Sequence, residues 1–173
     1  MFATLYLPNF YLQAALRHQP ELREQAVAVI DGREAKPIIM ELNEAAEAVG
    51  VCRGMTPSQG LARHLSLMIK TRLPRQEKLL ADLLVQFAFT LAPYVEATAP
   101  GVCTVQFTDT RNVLRSVEGV VDQLGESGIL AQAGIAPTPD ASLLAAHLAR
   151  PVMQVDNTRD FLAPLPIETL LIA

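Results

Sequence analysis

The histidine, cysteine and serine residues of this sequence do not have the spacing that is typical of metal sites or of nucleophilic catalysis. The three histidines, at positions 18, 64 and 147, have no cysteine or second histidine at ligand spacing. The two cysteines, Cys52 and Cys103, form no CxxC pair and predict buried apolar side chains in a reducing compartment. No GxSxG elbow is present to make a serine nucleophilic. These patterns predict neither a metal site nor a cofactor.

Basic residues are concentrated in one window of an otherwise acidic chain. The 173 residues carry a net charge of −4, from 14 basic and 18 acidic side chains. Residues 51–78 nevertheless hold six basic residues and one acidic residue. Such a window is either a solvated face or a strip that binds phosphates without reading base sequence. The candidates for a weak DNA contact are Arg53, Arg63, Lys70 and Arg72.

The composition indicates a folded protein that does not enter a membrane. Half of the residues are hydrophobic, 18% are charged, and the mean hydropathy is +0.25. A disordered chain needs lower hydrophobicity and higher charge. No signal peptide is evident, and the most apolar run, Leu79–Val95, is too short and too polar to span a bilayer. We therefore expect one domain with a small lobe, located in the cytoplasm.

The elements that must position these residues follow from periodicity and from turn residues. When residues 26–69 are set aside, the order of elements from Phe2 is β, α, β, β, α, β, α. This order predicts an α+β fold, a ferredoxin-like βαββαβ sheet with a small α/β lobe inserted after the first helix. The longest predicted helix is Arg75–Leu91, and its i+4 spacing predicts a buried stripe of Leu79, Leu83, Phe87 and Leu91.

Helix boundaries within the inserted lobe are marked by capping residues. Asn43 is suited to cap a helix that ends near Gly50, where glycine tolerates a left-handed backbone. Thr56 followed by Pro57 predicts a second helix start, with threonine as the cap and proline in the first turn.

Five segments, in this order, resemble the Y-family DNA polymerases, which are translesion enzymes. The first contains the aromatic pair Phe10 and Tyr11, and the second contains a GVxxGM turn. The segments are Leu7–Leu16, Ala26–Met55, Leu91–Thr108, Ala133–Pro151 and Phe161–Leu170. The resemblance implies a palm domain from residues 1–22 and 73–163, a fingers insertion at 23–72, and the start of a truncated thumb at 164–173.

The positions that hold metal ions in this family carry no carboxylate here. Y-family polymerases use two magnesium ions held by carboxylates of the first strand and of the palm hairpin, because hard cations require oxygen ligands. The corresponding residues of this chain are Tyr6, Pro8, Gly101 and Val102.

The positions that grip the nucleotide triphosphate in the family also differ. Hydroxyl, tyrosine and arginine groups are replaced by Glu41, Glu44 and Glu47, and the lysine of the late loop is replaced by Pro139. Three carboxylates would repel a polyphosphate. The loss of metal ligands and triphosphate ligands together predicts that the protein is not an enzyme.

This combination resembles the ImuB-type proteins, inactive Y-family homologues in bacterial DNA repair and the DNA damage response. The resemblance implies a cytoplasmic adaptor in SOS mutagenesis and translesion synthesis. Its expected partners are a RecA-like ImuA-type protein, an error-prone replicative-type polymerase and the sliding clamp.

Two alternatives remain open at this point. One is an active Y-family DNA-directed DNA polymerase whose metal ligands have relocated to some of Asp31, Glu96 and Asp109. The other is a ferredoxin-like binding module without the inserted lobe between the first helix and Arg75.

Overall fold

The chain divides into two compact units that are formed from interleaved segments. The computed structural model describes residues 1–171. The larger unit combines Met1–Pro8 with the chain from Ala81 onward, and the smaller unit is Asn9–Leu80. The predicted thumb start at 164–173 therefore includes two residues, 172 and 173, that lie outside the described part.

Strands and helices alternate along most of the chain. The strands are β1 (Phe2–Tyr6), β2 (Val27–Ile30), β3 (Ile39–Leu42), β4 (Met68–Thr71), β5 (Tyr94–Ala99), β6 (Val102–Gln106), β7 (Gln132–Ala136) and β8 (Val152–Gln154). The α-helices are α1 (Phe10–Leu16), α2 (Glu44–Ala48), α3 (Pro57–Arg63), α4 (Pro74–Leu91), α5 (Val113–Glu126), α6 (Pro139–Leu148) and α7 (Thr158–Leu162). Short 3-10 helices cover Pro20–Leu22 and Ile167–Leu171.

The larger unit contains a five-stranded sheet in the order β5-β6-β1-β7-β8 within residues 1–171. The central strand, β1, pairs antiparallel with β6 and with β7, and β8 adds to β7 in parallel. Ala3 and Leu5 of β1 are fully buried, as expected for the middle strand of a covered sheet. Strands β1, β5, β6 and β7 give the ferredoxin-like arrangement, and α6 with β8 extends it.

Helix α6 packs against β7 at very short range because Gly134 has no side chain. A Cβ at Gly134 would collide with the backbone of Ser142 and Ala146. The close approach lets Ala145 and Ala146 of α6 become fully buried. A glycine in a strand interior thus marks a place where another backbone comes close.

Helices α4 and α5 present their apolar residues at helical spacing. In α5 the buried residues are Val113, Val117, Val120, Val121 and Leu124. In α4 the buried residues are Leu80, Leu84 and Ala88, whereas Leu79 is 54% exposed. The predicted stripe through Leu79 is therefore wrong by one position, and the side chains of Leu83, Phe87 and Leu91 are half-buried.

The smaller unit is a three-stranded sheet in the order β3-β2-β4. Strand β2 pairs antiparallel with β3 and parallel with β4, and all four of its residues are buried. Ala28 and Ile30 face a core that includes Ile39 and Leu42. Val27 and Val29 face a second core that contains α1 residues such as Leu12. Because both faces of β2 are covered, the lobe has its own hydrophobic interior.

Asn43 connects three segments of the smaller unit through its side-chain amide. Its Oδ1 accepts from the backbone N–H of Ala46 at 3.1 Å, which confirms the predicted helix cap, and from the backbone N–H of Val27 at 3.0 Å. Its Nδ2 donates to the carbonyls of Arg23 and Gln25. One residue thereby fixes the start of α2, the start of β2 and the turn before it.

The sequence-based fold class is confirmed by this architecture. Helix α3 starts at Pro57 with Thr56 as its cap, as predicted, and Thr56 and Gln59 also form a reciprocal capping box there. The inserted lobe is present between α1 and α4, so the structure does not favour the simple ferredoxin-like binding module. Within residues 1–171, no helix combines the length and apolarity that a bilayer crossing requires.

Candidate functional site

Three of the four positions aligned with metal ligands lie side by side in the larger unit. Tyr6 of β1 is directly opposite Val102 of β6. The N–H of Leu7 donates to the carbonyl of Gly101 at 2.8 Å, which joins the end of β1 to the β5–β6 turn. Gly101 has a φ of 74°, a left-handed conformation that favours glycine. Pro8 follows two residues after Tyr6 and ends the first segment of this unit.

The surroundings of Tyr6 are aromatic and hydroxylic. Its ring lies 4.0 Å from the ring of His147 on α6, at an interplanar angle of 41°. Partial burial lowers the pKa of His147, so this imidazole is neutral near pH 7. Two residues earlier on β1, the buried Thr4 hydroxyl contacts the hydroxyls of Thr104 at 3.0 Å and Ser142 at 2.7 Å. These hydroxyls satisfy one another inside the sheet–helix interface.

These residues do not fit the two-magnesium site that the family resemblance implies. A phenol, a proline ring, a glycine and an isopropyl group stand where carboxylates are needed. Among the described residues, no group of three or more histidine, cysteine, aspartate or glutamate side chains could hold a metal ion. Asp31 pairs with Arg72, and the exposed Asp109 pairs with Arg111 at 2.6 Å.

Glu41 lies on β3 and turns its carboxylate toward the start of α1. Its Oε2 accepts from the backbone N–H of Leu12 at 2.8 Å, and the backbone N–H of Tyr11 also donates to this carboxylate. Burial raises the pKa of Glu41 and outweighs these hydrogen bonds and the nearby charges of Arg53 and Arg72, which lower it. The carboxylate thus supplies partners to N–H groups that lack one within the helix.

The other residues aligned with triphosphate ligands have local roles. Glu44 and Glu47 are exposed in the first turn of α2, where negative charge complements the helix dipole. Glu41 lies on strand β3 and so does not share a helix with them. Pro139 is in the first turn of α6, after the capping residue Thr138, where its missing N–H costs no helical hydrogen bond.

Arg53 and Arg63 line one groove of the smaller unit. The groove has a volume of about 480 Å³, and its wall also includes Cys52 and Gln59. Arg53 donates to Oδ1 of Asn9 at 2.6 Å. Two guanidinium groups on a shallow surface can bind phosphate oxygens.

Arg72 and Lys70 are held by neighbouring side chains of the same unit. Arg72 donates to Glu77 at 2.6 and 3.1 Å and to Asp31 at 3.3 Å, and its guanidinium lies 4.1 Å from the ring centroid of Tyr11. The Glu77 hydrogen bond is the main reason that the pKa of Arg72 is raised. Lys70 donates to Gln19 at 2.9 Å. Arg72 is thus committed to an internal cluster, while Arg53 and Arg63 share the groove.

Sequence reasoning missed the contact between Glu41 and α1 and the cluster around Arg72. Glu41 and Leu12 are separated by 29 positions, so no local pattern joins them. The cation–π contact between Tyr11 and Arg72 joins residues that are even further apart in the chain. An i,i+5 pair of opposite charges, Arg72 and Glu77, was the one local signal for that cluster.

Comparison with known proteins places these observations in a family. A model of the impB/mucB/samB family (IMS) matches residues 5–147. A curated relative, DNA polymerase IV of Desulfatibacillum aliphaticivorans, is 27% identical over 173 residues. The match covers 93% of this chain and 43% of the relative, so the chain spans less than half of that protein's length.

Solved structures of DinB and of Dbh DNA polymerase have the same fold as this chain. DinB from Sulfolobus solfataricus superposes with a TM-score of 0.85 at 16% identity, covering 97% of this chain and 52% of that one. A post-insertion binary complex of Dbh DNA polymerase gives a TM-score of 0.87 at 15% identity, with 97% and 52% coverage. At these identities the likeness establishes the fold.

The prediction that this protein is not an enzyme is wrong. The curated relative is named a DNA polymerase, and the matched structures are polymerases, which points to an enzyme. The prediction depended on the side chains at a few positions aligned by resemblance, whereas the similarity to polymerases extends over most of the chain. With a family match over most of its length and the palm and fingers fold of these structures, the chain belongs to the impB/mucB/samB family of Y-family DNA polymerases.

Proposed function

We propose that this chain is the palm and fingers part of a Y-family protein that acts on damaged primer–template DNA in bacterial SOS mutagenesis. The division into a palm (1–22 and 73–163), a fingers insertion (23–72) and a thumb start (164–173) is part of this proposal. So is the ImuB-type adaptor role in the cytoplasm. Its partners would be a RecA-like ImuA-type protein, an error-prone replicative-type polymerase and the sliding clamp.

The observation that carries the adaptor role is the side-chain set at the junction of β1 and β6. Tyr6 and Val102 are opposite each other, and Gly101 adjoins them, so the positions come together as in an intact palm. Their side chains nevertheless offer one phenol oxygen and no carboxylate. A palm fold that lacks carboxylates at these positions can still bind DNA and other proteins. This role is compatible with templated synthesis by the same protein.

Contact with DNA is supported by the groove that Arg53 and Arg63 line. Arg53 is oriented by Asn9, which reduces the conformational freedom it must lose on binding a phosphate. The net charge of −4 opposes attraction to DNA. We therefore expect weak binding that is independent of base sequence and decreases steeply with salt.

Reconstitution of the complex tests the adaptor role. The full-length protein would be mixed with immobilised sliding clamp, the ImuA-type protein and the error-prone polymerase, with and without primer–template DNA. We expect it to be retained by at least one of these proteins, and retention should persist after nuclease treatment. Retention that disappears with the DNA, or no retention at all, contradicts the adaptor role.

Templated synthesis is the second candidate, and the name of the curated relative favours it. Primer extension with magnesium or manganese, on undamaged and abasic templates, measures it directly. Incorporation that is lost in both Glu96→Gln and Asp109→Asn would support relocated ligands. Incorporation at the level of a protein-free control would contradict this candidate, while the partner experiment would remain decisive for the adaptor role.

A further inference from the structure

A shallow groove on the larger unit lies beside the C-terminal half of α5. It has a volume of about 460 Å³, and its lining includes Val121, Gly125, Ile129 and Leu130. The DNA contact and the adaptor role argued above do not depend on it.

The groove offers apolar surface to a partner. Val121 and Ile129 are 6% and 2% exposed and form its base, whereas Leu130 is 68% exposed at its edge. An aliphatic side chain at the edge of a buried apolar patch provides area that can be removed from water on binding.

Gly125 leaves the helix backbone accessible within this groove. Glycine is disfavoured inside helices relative to alanine, and the φ of Gly125 is not in the left-handed region. A Cβ at this position would meet nothing within 4 Å, so internal packing does not require glycine here. The missing side chain allows an external chain to approach α5 closely.

One side of the groove carries acidic residues whose charges are unfavourable for helix α5. Asp122 and Glu126 line the groove, and with Glu118, which lies outside the lining, they form an exposed row at i, i+4 and i+8. No ion pair with any of them is found in residues 1–171. Like charges at this spacing repel, and acidic residues near a helix C-terminus oppose the dipole. A cationic partner would offset both the repulsion between these carboxylates and their unfavourable interaction with the helix dipole.

We propose that this groove binds a short basic and apolar peptide segment of a partner protein. Its aliphatic side chain would lie against Leu130 and Ile129, its backbone would approach Gly125, and its lysine or arginine side chains would pair with Asp122 and Glu126. The charge complementarity selects a basic segment over an acidic or neutral one.

Fluorescence anisotropy with a designed peptide tests the proposal. The probe is a fluorescein-labelled peptide of about 14 residues, made of Lys, Ala and Leu with Leu at i, i+3 and i+7. Analogues with Glu for Lys, or Ser for Leu, should bind at least about tenfold more weakly. Amide chemical shifts of Gly125 and Leu130 should move on titration with the Lys peptide.

Variants locate the binding. D122K/E126K should raise the Kd about tenfold or more, whereas E21K/E24K, which changes the net charge equally in the smaller unit, should change it less than about twofold. Gly125→Ala should weaken binding without lowering the thermal unfolding temperature. Equal binding by D122K/E126K overturns the proposal. It is also overturned if sedimentation reveals self-association that these substitutions abolish, because the occupant would then be a second copy.

Discussion

Glu41 provides an internal anion to the first turn of α1. Two backbone N–H groups donate to its carboxylate, yet burial leaves the pKa of this residue raised. A carboxyl group with a raised pKa in the folded state contributes stability below its ordinary pKa and loses it as the pH rises through the raised value. Ionised Glu41 is therefore less favourable to folding than the neutral group.

Replacement of Glu41 by glutamine tests this sign. The amide oxygen can still accept from Leu12, and no charge is buried. We expect Glu41→Gln to be more stable than the parent near neutral pH. The difference in the free energy of unfolding should vanish at about pH 4, where Glu41 is protonated. Urea unfolding at both pH values measures it.

Glu44→Gln is the matched control because Glu44 is exposed in the first turn of α2. Its charge interacts favourably with the helix dipole. This variant should be slightly less stable near neutral pH, the opposite direction to Glu41→Gln. A gain of stability in both variants would mean that net charge, rather than burial, sets the effect.

Asn43→Ala should be strongly destabilising because four hydrogen bonds depend on one amide. We expect a loss of about 2–4 kcal/mol in the free energy of unfolding, since the partly buried N–H groups of Val27 and Ala46 and two exposed carbonyls lose this partner together. Asn157, which caps α7 and bonds only to adjacent residues, is the comparison. Asn157→Ala should cost about 1 kcal/mol, and similar losses in the two variants would argue against a connecting role for Asn43.

Gly134 determines how closely α6 can approach β7, which makes it a test at the scale of elements. In Gly134→Ala, the Cβ would collide with backbone atoms that cannot move independently of the helix. We expect a loss of about 2 kcal/mol or more in the free energy of unfolding. Gly119→Ala places a methyl group in open space on α5 and should instead gain about 0.5–1 kcal/mol. Thermal and urea unfolding measure both, and equal effects would contradict the close-packing explanation.

Elements with local signals were predictable from the sequence. Thr56, Pro57 and Asn43 mark helix starts because a cap acts within one turn, and the structure places α2 and α3 there. Helix α7, Thr158–Leu162, was missed because it is one short turn with no buried residue. In such a segment apolar periodicity gives no signal.

The buried face of α4 could not be chosen from periodicity alone. Apolar residues stand at Leu79 and Leu83 and also at the adjacent positions Leu80 and Leu84. Both sets satisfy the i+4 rule, and only the packing of the folded chain selects the second. The candidate site was also only partly predictable. The family resemblance assigned Tyr6 and Val102 to one site, and the structure places them opposite each other. The contact of Glu41 with α1 had no signal in the sequence because it depends on tertiary structure.

Charge distribution is the property of the whole molecule that bears on DNA. Arg53 and Arg63 share a groove, while Arg72 is already paired with carboxylates. Two arginines able to release counterions from DNA contribute about 0.9 each to the slope of log affinity against log salt. The rest of the acidic chain contributes little to that slope.

R53A/R63A should therefore weaken primer–template binding and reduce this slope by about 2. The comparison is R115A/R159A, which removes the same charge from the larger unit. Its slope should match the parent's, and affinity measured between low and moderate salt distinguishes the two. A slope that is unchanged in R53A/R63A would place the DNA contact elsewhere.

The central position of β1 constrains the sequence of events during synthesis. Its five residues are translated before both of their neighbours, since β6 follows β1 in the chain by 100 residues and β7 by 130 residues, counted between first residues 2, 102 and 132. The Asn9–Leu80 unit is continuous and has its own interior, so it can become compact while the N-terminal strand still waits unpaired. We therefore expect the insertion to become compact first during synthesis, whereas β1 has both of its partners only once residue 136 has been translated.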